Sequence, residues 1–328
     1  MFYYAEPCAR VRIGSDTDFL EFNSVNKIVI DESVKDLGNK ATITLPRNYG
    51  KLDGQSLLDL LKTGDRVKIW LGYDGQLNQE FSGYLQEIES EAPLVLHVDD
   101  EFYLLKRNTL NKTWKSGVTL KQILQYVAPG YTINCPDVSI GSYQIPGVSS
   151  YRVLLAICEQ YGFYSWISGK TFNCFWSYNI SGSLTGNFST YTFFTPTVKK
   201  SNLKYHRAED VKLRVRVSSR QRNGKILKYE TGREEKESML KSVVLPAGMS
   251  MDFIKKVAEQ NYKQSCFDGF SGSITGFGIP ITRAGDTLRL VNSEEKDKEG
   301  NYLIESVKIT YDVNSPLFDR ENFLSFKV

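Results

Sequence analysis

Two histidines, His97 and His206, are all that a chain of 328 residues carries. Neither stands in an H-E-x-x-H pattern, so the signature of a zinc hydrolase is missing. His97 precedes Asp99, Asp100 and Glu101, and His206 precedes Glu209 and Asp210. Both read as strand residues next to acidic turns rather than as metal ligands. The five cysteines, Cys8, Cys135, Cys158, Cys174 and Cys266, lie far apart with no C-x-x-C pair. That spacing excludes a zinc knuckle and a disulfide framework and predicts reduced thiols in an intracellular protein. Gly-x-Ser-x-Gly and the phosphate-cradling Gly-x-x-x-x-Gly-Lys-Ser/Thr are also missing, which removes two common routes to hydrolase and nucleotide chemistry. No apolar run approaches the roughly 20 residues that span a bilayer, and the N-terminus lacks a basic, then apolar, leader. No membrane anchor is expected. A net charge of +3 is too weak to call for nucleic acid. The sequence therefore predicts no catalytic residues, no cofactor, no metal and no sequence-specific nucleic-acid partner.

What the chain has is β-forming residues. Aromatics make up 12%, and this predicts a strand-rich fold. The length suggests two or three domains. Residues 1–110 read as short strands with one helix at Leu57, Leu58, Leu60 and Leu61, the whole forming a small antiparallel barrel or sandwich. Residues 111–200 change character. Leu120, Ile123, Leu124 and Val127 share one helical face, and a second helix is predicted from Ser149 or Ser150 to Gly162. A hairpin then runs through Phe163–Ile167 and Thr171–Trp176, and residues 178–199 read as loop or weak strand. Residues 201–328 return to strands, with one helix capped by Ser250 and a hairpin turn at Asn223-Gly224. The predicted fold class is α+β and mainly β: two similar antiparallel barrel or sandwich domains with a small α/β domain between them.

One pattern occurs twice. Thr63-Gly64-Asp65-Arg66-Val67-Lys68-Ile69 is echoed by Ala284-Gly285-Asp286-Thr287-Leu288-Arg289-Leu290, and Tyr84-Leu85-Gln86-Glu87 by Tyr302-Leu303-Ile304-Glu305, 16 to 19 positions on. Gly64, Asp65, Gly285 and Asp286 are read as the turns of a repeated strand–turn–strand unit. In both thirds the expected order is strands, helix, Gly-Asp strand, turn, Tyr-Leu strand. A chain carrying one domain twice presents two similar surfaces, and three such chains close a ring with six near-equivalent positions.

These segments carry a family resemblance. Gly64 to Tyr73 followed by Phe81-Ser82-Gly83-Tyr84-Leu85 resembles the first tube domain of the baseplate hub proteins of contractile phage tails. That family includes the late control protein D type of hub and the hub part of the VgrG spike of type VI secretion. Thr119-Leu120 and Tyr151 to Tyr164 are similar to its inserted domain, and Ala284–Leu288 with Tyr302–Val307 to its second tube domain. The resemblance implies a homotrimeric structural hub with pseudo-sixfold symmetry, joining a hexameric tail tube to a trimeric spike. It implies as partners the chain itself, the tail tube protein, a separate spike or tail-lysozyme protein and other baseplate subunits. The place implied is the virion tail baseplate, assembled in the bacterial cytoplasm. The chain departs from VgrG in carrying no repetitive spike after the hub segments.

One charged constellation invites a partner. Lys212, Arg214 and Arg216 project from one face of a strand whose other face carries Val211, Leu213, Val215 and Val217, and Arg220, Arg222, Lys225 and Lys228 extend the positive charge. This stripe is read either as a solvated outer face guarding an edge strand or as a contact for an acidic partner. Glu87, Glu89 and Glu91 read as the solvated face of another strand. A rival class is a carbohydrate-binding or adhesin-like β protein, with Trp70, Trp114, Trp166 and Trp176 stacking on sugars. Nothing in the sequence recommends a third, a cell-wall hydrolase.

Overall fold

The computed structural model describes residues 5–46, 51–52, 55–89, 93–177, 184–193, 195, 197–221, 223–235, 237–292, 294–296 and 299–328. Arg222 and Glu91 lie outside the described residues. The first third runs β1 (Pro7–Gly14), β2 (Phe19–Phe22), β3 (Lys27–Ser33), β4 (Lys40–Thr44), β5 (Lys51–Leu52), β6 (Gln55–Ser56), α1 (Leu57–Leu60), β7 (Arg66–Tyr73), β8 (Gln76–Glu89), β9 (Val95–Asp99) and α2 (Phe102–Lys106). Val67, Ile69 and Leu71 on β7 and Ile28 and Ile30 on β3 are fully buried. Their intervening neighbours are more exposed, which is the two-residue period of a pleated strand with one face in a core.

The middle runs β10 (Leu110–Thr119), α3 (Leu120–Val127), β11 (Thr132–Asn134), β12 (Ser139–Val148), α4 (Ser150–Tyr161), β13 (Phe163–Ser168) and β14 (Thr171–Trp176). Thr119 and Gln122 form a capping box on α3, each side chain accepting the other's backbone N–H, which satisfies two donors the first turn leaves unpaired. Leu120, Ile123, Leu124 and Val127 are all buried, each contributing about 1.5–3 kcal/mol relative to exposure. Ser149 caps α4, and Gly162, at φ 71°, ends it in the left-handed conformation that glycine takes most readily. β10 and β12 pair antiparallel and were not foreseen as strands. Most of their side chains are partly or fully exposed, so the pair has no alternating apolar face to read.

The last part runs β15 (Phe188–Thr192), β16 (Lys200–Ser201), β17 (Lys204–His206), β18 (Leu213–Arg220), β19 (Ile226–Gly232), β20 (Met239–Leu245), α5 (Met251–Ser265), β21 (Gly269–Phe277), β22 (Thr287–Val291), β23 (Gly300–Asp312) and β24 (Leu317–Lys327). The Asn223-Gly224 turn joins β18 to β19, with Gly224 at φ 82°.

The fold is mainly β. Strands of the first and last thirds join in one fourteen-stranded sheet, with the path β16-β21-β24-β23-β3-β4-β9-β8-β7-β1-β2. The thirds meet where β3 pairs antiparallel with β23, from Ser33↔Ser306 to Lys27↔Asp312. Smaller sheets, β11-β14-β13 and β19-β18-β20, each contain one parallel pair. Two large cores follow. One unites residues of the first third with Tyr191, Phe270, Leu288, Ile309 and Phe318. The other unites α3, α4, β13 and β14 with Leu213, Val215 and Val217 of β18 and Ile254, Val257 and Ala258 of α5. Buried residues thus group across the expected boundary at 200/201, because the apolar face of β18 covers the middle segment.

Candidate functional site

The two Gly-Asp turns have the same hydrogen-bonded geometry. In the first, Lys62 N donates to Asp65 Oδ2 at 2.8 Å and Asp65 N to Lys62 O at 3.0 Å. In the second, Arg283 N donates to Asp286 Oδ2 at 2.7 Å and Asp286 N to Arg283 O at 3.1 Å. The glycines then tie each turn to a strand. Gly64 N donates to Leu85 O at 2.7 Å and Leu85 N to Asp65 O at 2.9 Å; Gly285 N donates to Ile304 O at 2.8 Å and Ile304 N to Asp286 O at 2.9 Å. Gly64 sits at φ 97° and Gly285 at φ 93°, where a Cβ is strained. The aspartates serve the turn through their side chains, as short acids often do.

The correspondence differs by one residue from the Tyr-Leu alignment. Leu85 matches Ile304, so Tyr84 matches Leu303; Arg66↔Tyr84 and Thr287↔Leu303 are the equivalent pairs. Just beyond, each long strand carries a bulge. Register slips between Leu85 and Glu87 against β9, and between Ile304 and Ser306 against β24. The surroundings are not identical. β1 runs antiparallel to β7, whereas β15 runs parallel to β22. The helices also differ in place: α1 directly precedes the first turn, while β21 stands between α5 and the second.

A buried ion cluster lies where the first and last thirds meet. Arg320 is fully buried, and its guanidinium donates to Gly278 O (2.6 Å), to Thr282 O (3.2 Å) and to the carboxylate of Glu80. Arg283 donates to Glu32 Oε1 and to Glu80 O, both at 2.9 Å, and its Nη2 lies 2.7 Å from Glu80 Oε2. Glu32 and Glu80 belong to β3 and β8, and Arg320 to β24. Burial pushes the Glu32 carboxyl up and the Arg320 guanidinium down, while the opposite charges around each pull it back. Two cations and two anions are in contact, with Arg320 and Glu80 shielded from water, and Glu80 Oε2 is held by the charge of Arg283 without a hydrogen bond. None of the four was singled out in the sequence. The signal was there on β24: Arg320 and Asn322 share the buried parity of Phe318, Leu324 and Phe326.

The basic stripe lies on and beside β18. That strand is the centre of its sheet, paired with β19 and β20, so its cations do not guard an edge. Lys212 lies 3.0 Å from Glu237 and 3.4 Å from Glu235, and Arg216 pairs with Glu230. Arg214 is half-buried and Arg220 exposed. The stripe is thus partly neutralised by its own chain.

The other singled-out groups are dispersed. His97 pairs with Glu89 at 2.8 Å, and His206 packs edge-on against Phe267. Burial pushes the thiols of Cys135, Cys158, Cys174 and Cys266 up, that of Cys158 to about 11, the opposite of what a nucleophilic cysteine needs. Trp176 is buried against Phe163, with ring centroids 4.1 Å apart. Trp70, Trp114 and Trp166 stand on strands of three different sheets. Among the described residues no group of three or more histidines, cysteines and acids is placed to hold a metal, and no helix is long and apolar enough to cross a membrane.

No family model matches the chain, and no curated protein matches its sequence. Solved structures do match its fold along nearly its whole length. A tail protein from Neisseria meningitidis MC58 is similar at a TM-score of 0.63 and 14% identity, over 98% of this chain and 96% of that one. The 43 kDa tail protein of prophage MuSo2 from Shewanella oneidensis is similar at 0.65 and 13%, over 98% of both chains. The E. coli c3393 protein is described as a type VI secretion component structurally similar to the T4 tail proteins gp27 and gp5. It matches at 0.57 and 9%, over 93% of this chain and 74% of that one. The twin turns and the continuous sheet therefore belong to a chain with the fold of phage tail proteins.

Proposed function

We propose that this chain is the structural hub of a phage-tail or contractile-injection baseplate, built from a duplicated β unit. Three copies form a ring of approximate sixfold symmetry, one face meeting a hexameric tail tube and the other a trimeric spike. The observation that carries the reading is the full-length likeness to tail proteins. The matching turns at Gly64-Asp65 and Gly285-Asp286 and the matching bulges on β8 and β23 support the duplication. The role is geometric rather than catalytic: each copy offers two similar but unequal edges, so a threefold ring presents six positions. Arg214 and Arg220, which have no ion pair among the described residues, are the proposed contact for an acidic baseplate subunit. Native mass spectrometry of the purified chain is expected to show a trimer. A monomer at every concentration tested, with averaged images lacking a ring, rejects this reading.

A further inference from the structure

We infer that the ring closes by pairing Glu87–Glu89 of β8 in one copy with Lys204–His206 of β17 in the next, with Glu89 opposite Lys204. This inference rests on the trimeric reading above and specifies its seam.

The argument starts from β23. β24 lies along one side of this strand, while the other side is shared by β22 near its start and β3 beyond Ser306. β8 has the same layout with one strand missing. β9 lies along one side and β7 along the other, but β7 stops at Tyr84. Among the described residues, no strand lies on that side of Glu87–Glu89, the position that β3 fills on β23. An open edge of this kind is a template for another strand.

The registers say which strand has the matching shape. Val98 faces Leu85 and Ala41; Leu324 faces Ile304 and Gly272. Ala41 therefore corresponds to Gly272, and Lys40 to Ser271. Lys40 pairs with Asp31 and Ser271 with Lys204, so β17 occupies the place of β3 and Lys204 that of Asp31. β17 has β21 on one side and, among the described residues, no strand on the other. Within the chain, Asp31 faces Lys308 and Glu32 faces Val307. Between copies, the same register sets Lys204 opposite Glu89 and Tyr205 opposite Ile88. Burial follows the same sequence on the two strands: Glu89 and Lys308 are exposed, and Ile88 is half-buried where Val307 is buried beneath β3.

Charge sets the order of joining. The internal seam has the acid on β3 and the base on β23. The proposed seam has the base on β17 and the acid on β8. Exchanging the strands places Asp31 opposite Glu89 or Lys204 opposite Lys308, like charges directly across a ladder, which disfavour pairing. Each edge thus accepts one partner, and a ring of alternating internal and external seams results.

The test is made on the full chain by two routes. Glu89→Cys combined with Lys204→Cys is expected to give covalent dimers and trimers on oxidation, since directly opposed residues bring their Cβ atoms within disulfide reach. Either substitution alone, and the out-of-register pair Glu87→Cys with Ser201→Cys, is expected to give none. Glu89→Lys is expected to weaken trimer formation about tenfold or more, because three seams change together, and Glu89→Lys with Lys204→Glu to restore it. A trimer that forms no Glu89–Lys204 link and tolerates Glu89→Lys overturns the seam and leaves the trimeric reading intact. A chain that is monomeric at all concentrations overturns both.

Discussion

Arg320 of β24 donates a hydrogen bond to Glu80 of β8, 240 residues earlier in the chain, and both side chains are withdrawn from solvent. Arg283, reaching Glu32 as well as Glu80, turns this contact into a four-member cluster. The cluster ties the β8 side of the sheet to β24 without a covalent link. Removing one partner leaves a charge buried and unpaired, which is far more costly than losing an exposed ion pair.

Arg320→Ala is therefore expected to lower unfolding stability by about 3–5 kcal/mol. Replacing Arg216, whose pair with Glu230 is solvent-exposed, is expected to cost far less. Urea titration followed by tryptophan fluorescence checks both. Equal losses at the two sites refute a special role for the cluster.

The twin turns make a paired prediction. Gly64→Ala and Gly285→Ala each force a Cβ into positive φ, at roughly 1–2 kcal/mol. A Cβ at Gly285 also comes within 3.2 Å of Leu184 Cβ, and one at Gly64 within 3.3 Å of an Arg107 guanidinium nitrogen. Asp286 is buried and also accepts from Thr185, whereas Asp65 is half-exposed. Asp286→Ala is accordingly expected to lower the melting temperature more than Asp65→Ala.

Asp100 gives a pH signature. Its carboxylate accepts from Asn39 N at 2.7 Å and Phe102 N at 3.0 Å, yet burial outweighs these bonds and raises its pKa to about 6. A carboxyl raised on folding favours the native state while protonated. Its contribution is complete below the unfolded value near 4 and is lost as pH rises through about 6, on the order of 1–3 kcal/mol in all. Asp100→Asn is expected to flatten stability between about pH 4 and 6 relative to the parent, read as the difference between two sets of denaturation midpoints. Parallel curves would show that Asp100 titrates as an ordinary surface acid.

Local physics made several elements readable in advance. Leu120, Ile123, Leu124 and Val127 all face a core because helical spacing alone puts them on one side. Ser149 and Gly162 bound α4 because capping and positive φ are decided within a few residues. The Gly-Asp turns rest on equally local preferences, but the Tyr-Leu recurrence lies one residue out of step with the strand pairing. Pairing there follows backbone bonds from Asp65 and Asp286, not the identity of a tyrosine. β10 and β12 carry no strand signal in the sequence because most of their side chains remain partly or fully in water.

Period, caps and turns, set by each residue's own φ preferences and near neighbours, were determined by the sequence itself. So was the recurrence of Gly-Asp at two places. Only the tertiary structure decided that β3 abuts β23, that β18 and α5 close the middle core, and that Glu32, Glu80, Arg283 and Arg320 meet. Those contacts join residues far apart in the chain, and their energy comes from burial and charge matching that exist only once the strands are assembled.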